Sequence, residues 1–296
     1  MSCIFSQTDT IHQNLLSPNL LQQIASILSS FRSNYYCQII EAHALESVVA
    51  LGVTWKNPIH PHAEYFTIYI DDSIREVDAL QNQLLNELEK NSLLSNSDRI
   101  IYSLMSNQVN TISLLESNGY DLIRMTYEPT LIVEDCLTHI TELSHPTALT
   151  YKEALSNPSL KIELLDLLKR NYINTHQVNP AANLTLSEWE SLLLDGQPDW
   201  ELSLVGLTNG SVSSYITIFS SDQASIEIGW MGLEEQKPAS YSELKQLFKK
   251  QLELFRSKGV NTIEPEIDTT DYYACELFSF INVTELESFN TYRKII

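Results

Sequence analysis

The sequence predicts a mixed α/β (α+β) protein of two tandem domains, each a mostly antiparallel twisted sheet flanked by helices. Three observations carry that expectation. The chain has 296 residues, enough for two domains that each bury a core. Its apolar residues switch between the alternation of strands and the helical period of about 3.6 residues. An order of antiparallel strands, long helix, strand, short helix, strand occurs twice without obvious residue identity, the pattern of a tandem duplication.

Taken in order, Ser17-Pro18 opens a helix over Ser17 to Phe31, with Leu20, Leu21, Ile24, Ile27 and Leu28 at helical spacing. YYCQII (Tyr35 to Ile40) and SVVALGVTW (Ser47 to Trp55) read as strands, NPIHPHAE as a stiff loop, and YFTIYI as a further strand. A long helix follows from Ser73 to Lys90, then the strand RIIYSLM and a helix over Val109 to Ser117 that stops at Asn118-Gly119. The strand YDLIRMTYEP closes the first half at Pro129. Residues 1–133 are therefore expected as the first domain, 134–158 as a connection broken by His145-Pro146 and Asn157-Pro158, and 159–296 as the second domain.

In the second domain, helices are expected over Leu160 to Asn171 and Leu186 to Leu194, the latter opened by the capping-box pair Thr185 and Glu188. Strands follow at Glu201 to Leu207, Ser213 to Phe219 and Ile226 to Leu233, with Asn209-Gly210 as a hairpin turn. A helix from Ser240 to Ser257, the strand VNTIEPEI, a helix over Tyr272 to Phe280 and a strand at Glu287 to Arg293 complete the chain.

Composition narrows the function. Eighteen basic residues against 38 acidic ones give a net charge of −20, which argues against nucleic acid as a partner. The pair Lys249-Lys250 reads as a solvated helix face. The four cysteines are scattered without CxxC spacing, so no zinc knuckle or redox motif is expected. MSCIFSQTDTIHQ is no secretory signal and no apolar stretch is long enough to span a bilayer, so a cytoplasmic protein without a membrane partner is expected. His60, His62 and Glu64 alternate and could bring three ligands to one metal, but Pro58 and Pro61 stiffen the segment and no metal is expected. No Ser–His–Asp or Cys–His nucleophile is evident; Cys275 reads as core. The sequence fixes no oligomeric state.

Three stretches, LLESNGYDLIRM, NPIHPHAEYFTIYI and EALSNPSLKIELLDLLKRNY with LTLSEWESLL, resemble the GNAT acyltransferase superfamily, and the tandem order resembles its two-domain members. The resemblance implies acetyl-CoA held in a splay beside the central strand. Its pyrophosphate would sit on a glycine-rich loop at a helix start, where free N–H groups and the helix dipole favour an anion. It implies direct acyl transfer to an amine, with a base to deprotonate the amine and an acid for the leaving thiolate.

In the first domain, Asp71, Asp72, Glu76 and Asp78 stand at the phosphate position with Arg75 as the one positive charge, and Leu115 falls where the family has tyrosine. This domain is expected not to bind the cofactor. In the second, the resemblance assigns Met231, Gly232 and Leu233 to the pantetheine grip and Lys237, Ser240 and Ser242 to the phosphates, although no glycine lies between Leu233 and Phe248. Ser240 also reads as a plain N-cap with Glu243. Glu227 and Glu266 are the candidate bases; Glu264, Glu266 and Asp268 alternate on one face, which also reads as a solvated acidic surface. Phe278 falls on the family's tyrosine position, with Tyr272 and Tyr273 nearby as substitutes or core. Two functions are expected: an acyl-CoA-dependent N-acetyltransferase acting on a small amine, or a degenerate GNAT fold that binds a small molecule or protein.

Overall fold

The computed structural model describes residues 3–25, 36–44, 46–71, 73–94, 97–141, 147–220, 225–235 and 238–296. The first elements are β1 (Ile4–Thr8), α1 (Pro18–Ile24), β2 (Tyr36–Ala44), β3 (Ser47–Asn57), β4 (His60–Ile70), α2 (Val77–Leu94), β5 (Arg99–Met105), α3 (Val109–Ser117) and β6 (Asp121–Tyr127). Then come β7 (Leu131–Ile132), α4 (Val133–His139), β8 (Thr147–Thr150), α5 (Tyr151–Ser156), α6 (Pro158–Thr175) and α7 (Leu186–Asp195). The chain ends with β9 (Leu204–Thr208), β10 (Ser211–Ser220), β11 (Ser225–Leu233), α8 (Pro238–Ser257), β12 (Thr262–Pro265), β13 (Ile267–Asp268), α9 (Tyr272–Leu277) and β14 (Phe289–Ile295). Two compact units result. Unit 1 holds Met1–Ile123, Val178–Ala182 and Phe289–Ile296; unit 2 holds Arg124–Gln177 and Asn183–Ser288.

In unit 1, β1 to β4 form an antiparallel meander, α2 leads from β4 to its parallel neighbour β5, and β14 pairs antiparallel with β5. Strand β3 is buried on both faces because a helix covers each. Leu84, Leu85 and Leu88 of α2 pack on Ile40, Val49, Phe66 and Ile100, while Leu20 and Ile24 of α1 pack on Ile39, Val48, Leu51 and Val53. Buried Glu41 ties the amino-terminal turn to β2, accepting from the His12 N–H at 2.9 Å and pairing with the His12 ring at 2.8 Å.

Unit 2 has a six-stranded sheet in the order β7-β12-β11-β10-β9-β8, in which β11 and β12 are parallel and the other described neighbours antiparallel. Leu244, Leu247, Phe248, Leu252 and Phe255 of α8 pack on one face against Ile216, Ile218, Ile228 and Met231. On the other face, Leu164, Leu165, Leu168 and Leu193 of α6 and α7 pack against Val205 and Tyr215. Thr150 with Glu153 and Thr185 with Glu188 form capping boxes, and Asn157 caps α6 ahead of Pro158. Asn209 and Gly210 both take positive φ, 53° and 87°, as the tight β9–β10 hairpin requires.

Several elements differ from the sequence reading. NPIHPHAE is not a loop: β3 and β4 form a hairpin from Asn57 to His60, and Pro61 sits where the ladder register shifts. His60 and Glu64 are buried while His62 is exposed, and among the described residues no group of three His, Cys, Asp or Glu could hold a metal ion. Helix α2 starts at Val77 because Asp71 first turns the chain, accepting from the Ser73 N–H at 2.9 Å. The segment 134–158 contains α4, β8 and α5, its His145-Pro146 lying outside the described residues, as does the end of the expected first helix. Cys275 is exposed, since Tyr273, Ala274 and Leu277 take the inward positions of α9. Among the described residues no helix is long and apolar enough to cross a membrane.

The unit boundaries fall elsewhere than at residues 133 and 159. Strand β14 belongs to unit 1 because it pairs along all of β5, from Phe289 opposite Met105 to Ile295 opposite Arg99. Deleting residues 289–296 is therefore expected to lower the unfolding midpoint of unit 1 and to strip hydrogen-exchange protection from Ile100 to Leu104. Unchanged protection of those amides in the truncated chain would show that β14 does not support this sheet.

Candidate functional site

Strand β11 pairs in parallel with β12 from Ser225 opposite Thr262 to Ile228 opposite Pro265, and the Glu266 N–H makes one more bond to the Ile228 carbonyl at 3.1 Å. The two strands then part. Strand β11 runs on to Leu233 against β10, while Ile267 and Asp268 pair with Tyr127 and Thr126. The Glu234 N–H donates to Ser213 on the β10 side at 2.8 Å, so strand alternation turns the amide groups of Met231 and Leu233 to the splayed side.

That edge is partly occupied by the protein itself. The Leu233 carbonyl accepts from Asn171 Nδ2 at 3.2 Å and from the Tyr273 hydroxyl at 3.4 Å, and Asn171 Oδ1 accepts from the same hydroxyl at 2.8 Å. Burial holds the Tyr273 phenol well above its ordinary range. Asn171 lies directly over Gly232, where an added Cβ would come within 2.0 Å of Nδ2, so glycine is needed for the amide to reach the strand. The Met231 and Leu233 side chains point into the core under α8. Phe278 is buried core.

The helix start is no kinder to an anion. Helix α8 begins at Pro238, which suits a first helical position, so Ser240 lies inside the first turn and is not the N-cap. Ser242 accepts from Gln246 Nε2 at 3.2 Å. Lys237 lies outside the described residues. A cavity of about 330 Å³ beside this turn is bordered by Glu234, Glu235, Ser240 and Glu243. Three carboxylates there oppose a pyrophosphate. Arg170 is drawn to Glu234 at 2.5 Å and Asp166 at 3.0 Å. Among the described residues this turn offers a pyrophosphate carboxylates in place of cationic donors.

The two candidate bases, by contrast, are brought together. Glu227 lies opposite Glu264 in the parallel ladder, and opposite Phe219 of β10 on its other side. Burial raises the Glu227 carboxyl, with Glu128 and Glu264 adding repulsion. Glu266 is pushed up to about 7, first by the protein packed around it and then by Asp268, Glu128 and Glu227, against the pull of Arg124. Its side chain stays open to solvent, so water screens part of that penalty. Arg124 is held to Asp268 at 3.2 Å, and the Thr126 hydroxyl also bonds Asp268. Asp271 is raised to about 6 by burial, although the N–H groups of Tyr273 and Ala274 that it caps pull the other way.

Sequence reasoning missed Asn171, Phe219 and Trp230. Asn171 was legible in principle as the polar residue that continues the buried stripe of Leu164, Leu168 and Thr175.

No family profile matches the sequence and no curated protein matches it. Solved structures do. A GCN5-related N-acetyltransferase from Sphaerobacter thermophilus aligns with a TM-score of 0.62 at 12% identity, over 98% of this chain and 95% of that one. A tandem GNAT protein from the clavulanic acid biosynthesis pathway aligns at 0.56 and 11%, over 99% and 98%. A probable N-acyltransferase from Enterococcus faecalis V583 aligns at 0.54 and 10%, over 100% and 72%. The chain has the fold of two-domain GNAT proteins.

Two expectations follow. Because the Glu266 carboxyl is raised above its ordinary value in the native chain, by a shift that solvent at its exposed side chain reduces, stability falls as pH rises from about 4.5 toward 7. Glu266→Gln should raise the melting temperature at about pH 8 and leave it unchanged at about pH 4, and equal melting temperatures at both pH values would contradict this. Gly232→Ala should cost about 1–3 kcal/mol in urea unfolding, most of it recovered when Asn171→Ala is added. A cost unchanged by the second substitution would place the clash elsewhere.

Proposed function

We propose that unit 2 binds a small primary amine on the face carrying Glu227, Glu264 and Glu266. The carrying observation is the register that sets Glu227 beside Glu264 with Glu266 one step beyond. Neighbouring carboxylates raise the Glu227 and Glu266 carboxyls, and an ammonium relieves that repulsion, so such a ligand should bind with release of protons. The net charge of −20 draws a cation from solution.

On this reading the chain uses the acceptor half of a GNAT fold, while Asn171 and Tyr273 take part of the strand edge and Glu234, Glu235 and Glu243 oppose a phosphate. A second reading, N-acetyl transfer from acyl-CoA directly to the same amine, is favoured by one observation. A carboxyl at about 7 is poised to take the amine's proton near neutral pH, and Glu266 has it, with Glu227 close by. The GNAT fold of the N-acetyltransferase structures supports the same reading.

Calorimetry separates the two. The amine reading expects butylammonium to give a binding isotherm that weakens about tenfold or more in Glu227→Gln/Glu266→Gln, and millimolar acetyl-CoA to give no heat. Heat from acetyl-CoA, with amine-dependent thiol release abolished by Glu266→Gln, would establish the transferase reading instead. An isotherm from neither ligand sinks both.

A further inference from the structure

We propose that the amine carries an aromatic ring, so that the ligand class is an arylalkylammonium; this deepens the amine reading above and rests on it. In the β10–β11 ladder Phe219 stands directly opposite Glu227, and cross-strand partners project to the same face. The Phe219 ring lies 6.1 Å from that of Trp230 at 85°, and Trp230 lies 5.5 Å from Tyr172 at 68°. Trp189 closes the group from below, 5.1 Å from Tyr172 and 6.4 Å from Trp230. On that side of Glu227 the surface is aromatic; on the other stand Glu264 and Glu266.

The rings are held in place rather than loosely exposed. A Cβ on Gly229 would come within 2.3 Å of the Phe219 ring, and one on Gly196 within 2.8 Å, so two glycines make room for it. Trp189 is 1% exposed and its Nε1 has no hydrogen-bond acceptor among the described residues, whereas Tyr172, Phe219 and Trp230 stay partly open to solvent. A face that offers open ring surface a strand's width from a carboxylate matches a ligand with a charged end and a flat apolar end. A short aliphatic amine would leave the rings uncovered. A neutral arene would leave the carboxylates without a cation. An ammonium beside Trp or Phe also gains a cation–π attraction.

The test is calorimetry on the full chain at about pH 8 with 2-phenylethylammonium, butylammonium and 2-phenylethanol. The aromatic amine is expected to bind about tenfold more tightly than either comparator, a margin that ring stacking and cation–π contact can supply. Trp230→Leu should bring the aromatic amine to within about twofold of butylammonium while butylammonium itself is unchanged. Phe219→Leu takes the same role if the first variant fails to fold, and the ligand series on the unaltered chain decides alone if both fail. Equal binding of the two amines, or a preference that survives the substitution, overturns the inference and leaves the amine reading standing. Binding of neither amine overturns both.

Discussion

After Ile228 strand β11 loses its parallel neighbour, and the candidate site follows from that departure. The Glu266 N–H makes the last bond to β11 before the chain turns to pair with Thr126 and Tyr127. One consequence is an edge at Met231 to Leu233 that no strand covers among the described residues. The other is a row of side chains fixed by register: Phe219, Glu227 and Glu264 across three strands, with Glu266 just past the break. Register leaves each of the two glutamates no alternative face, because a one-residue slip of its own strand would drive it into the core under α8.

The same edge is partly filled from within the protein. An amide donor on the Leu233 carbonyl is what an extended ligand would supply, and here Asn171 supplies it from within. The bond depends on Gly232 below it and on Tyr273, whose hydroxyl bonds both Asn171 and Leu233. Three groups on three elements thus form one buried, satisfied network, the kind that rigidifies a core. At the start of α8, carboxylates stand where a phosphate would need donors.

Much of the architecture was legible because its signals are local. The helix over Val109–Ser117, the Asn209-Gly210 turn and the start of α7 at Thr185 follow from spacing, turn chemistry and caps within a few residues. Pro238 was an equally local signal for the start of α8, but the serines that follow were read as the cap. What the sequence hid was non-local. No periodicity states that the last strand joins the first unit, because its partner is Arg99 to Met105. Within the site, Glu227 and Glu266 were legible as strand carboxylates, and their mutual repulsion required the register of β11 on β12. Gly232 also makes room for Asn171, a residue 61 positions earlier in the chain, which no local pattern signals.

The central claim is that Glu227, Glu264 and Glu266 form one coupled anionic face that a primary ammonium neutralises. Its most direct measurement is the number of protons released on binding, obtained by titrating butylammonium at about pH 7 in buffers of different ionisation enthalpy. With the Glu266 and Glu227 carboxyls both raised in the native chain, protons should leave as the amine binds, and markedly fewer in Glu266→Gln. Binding that releases no proton from the unaltered chain, or the same amount from the variant, would contradict the account.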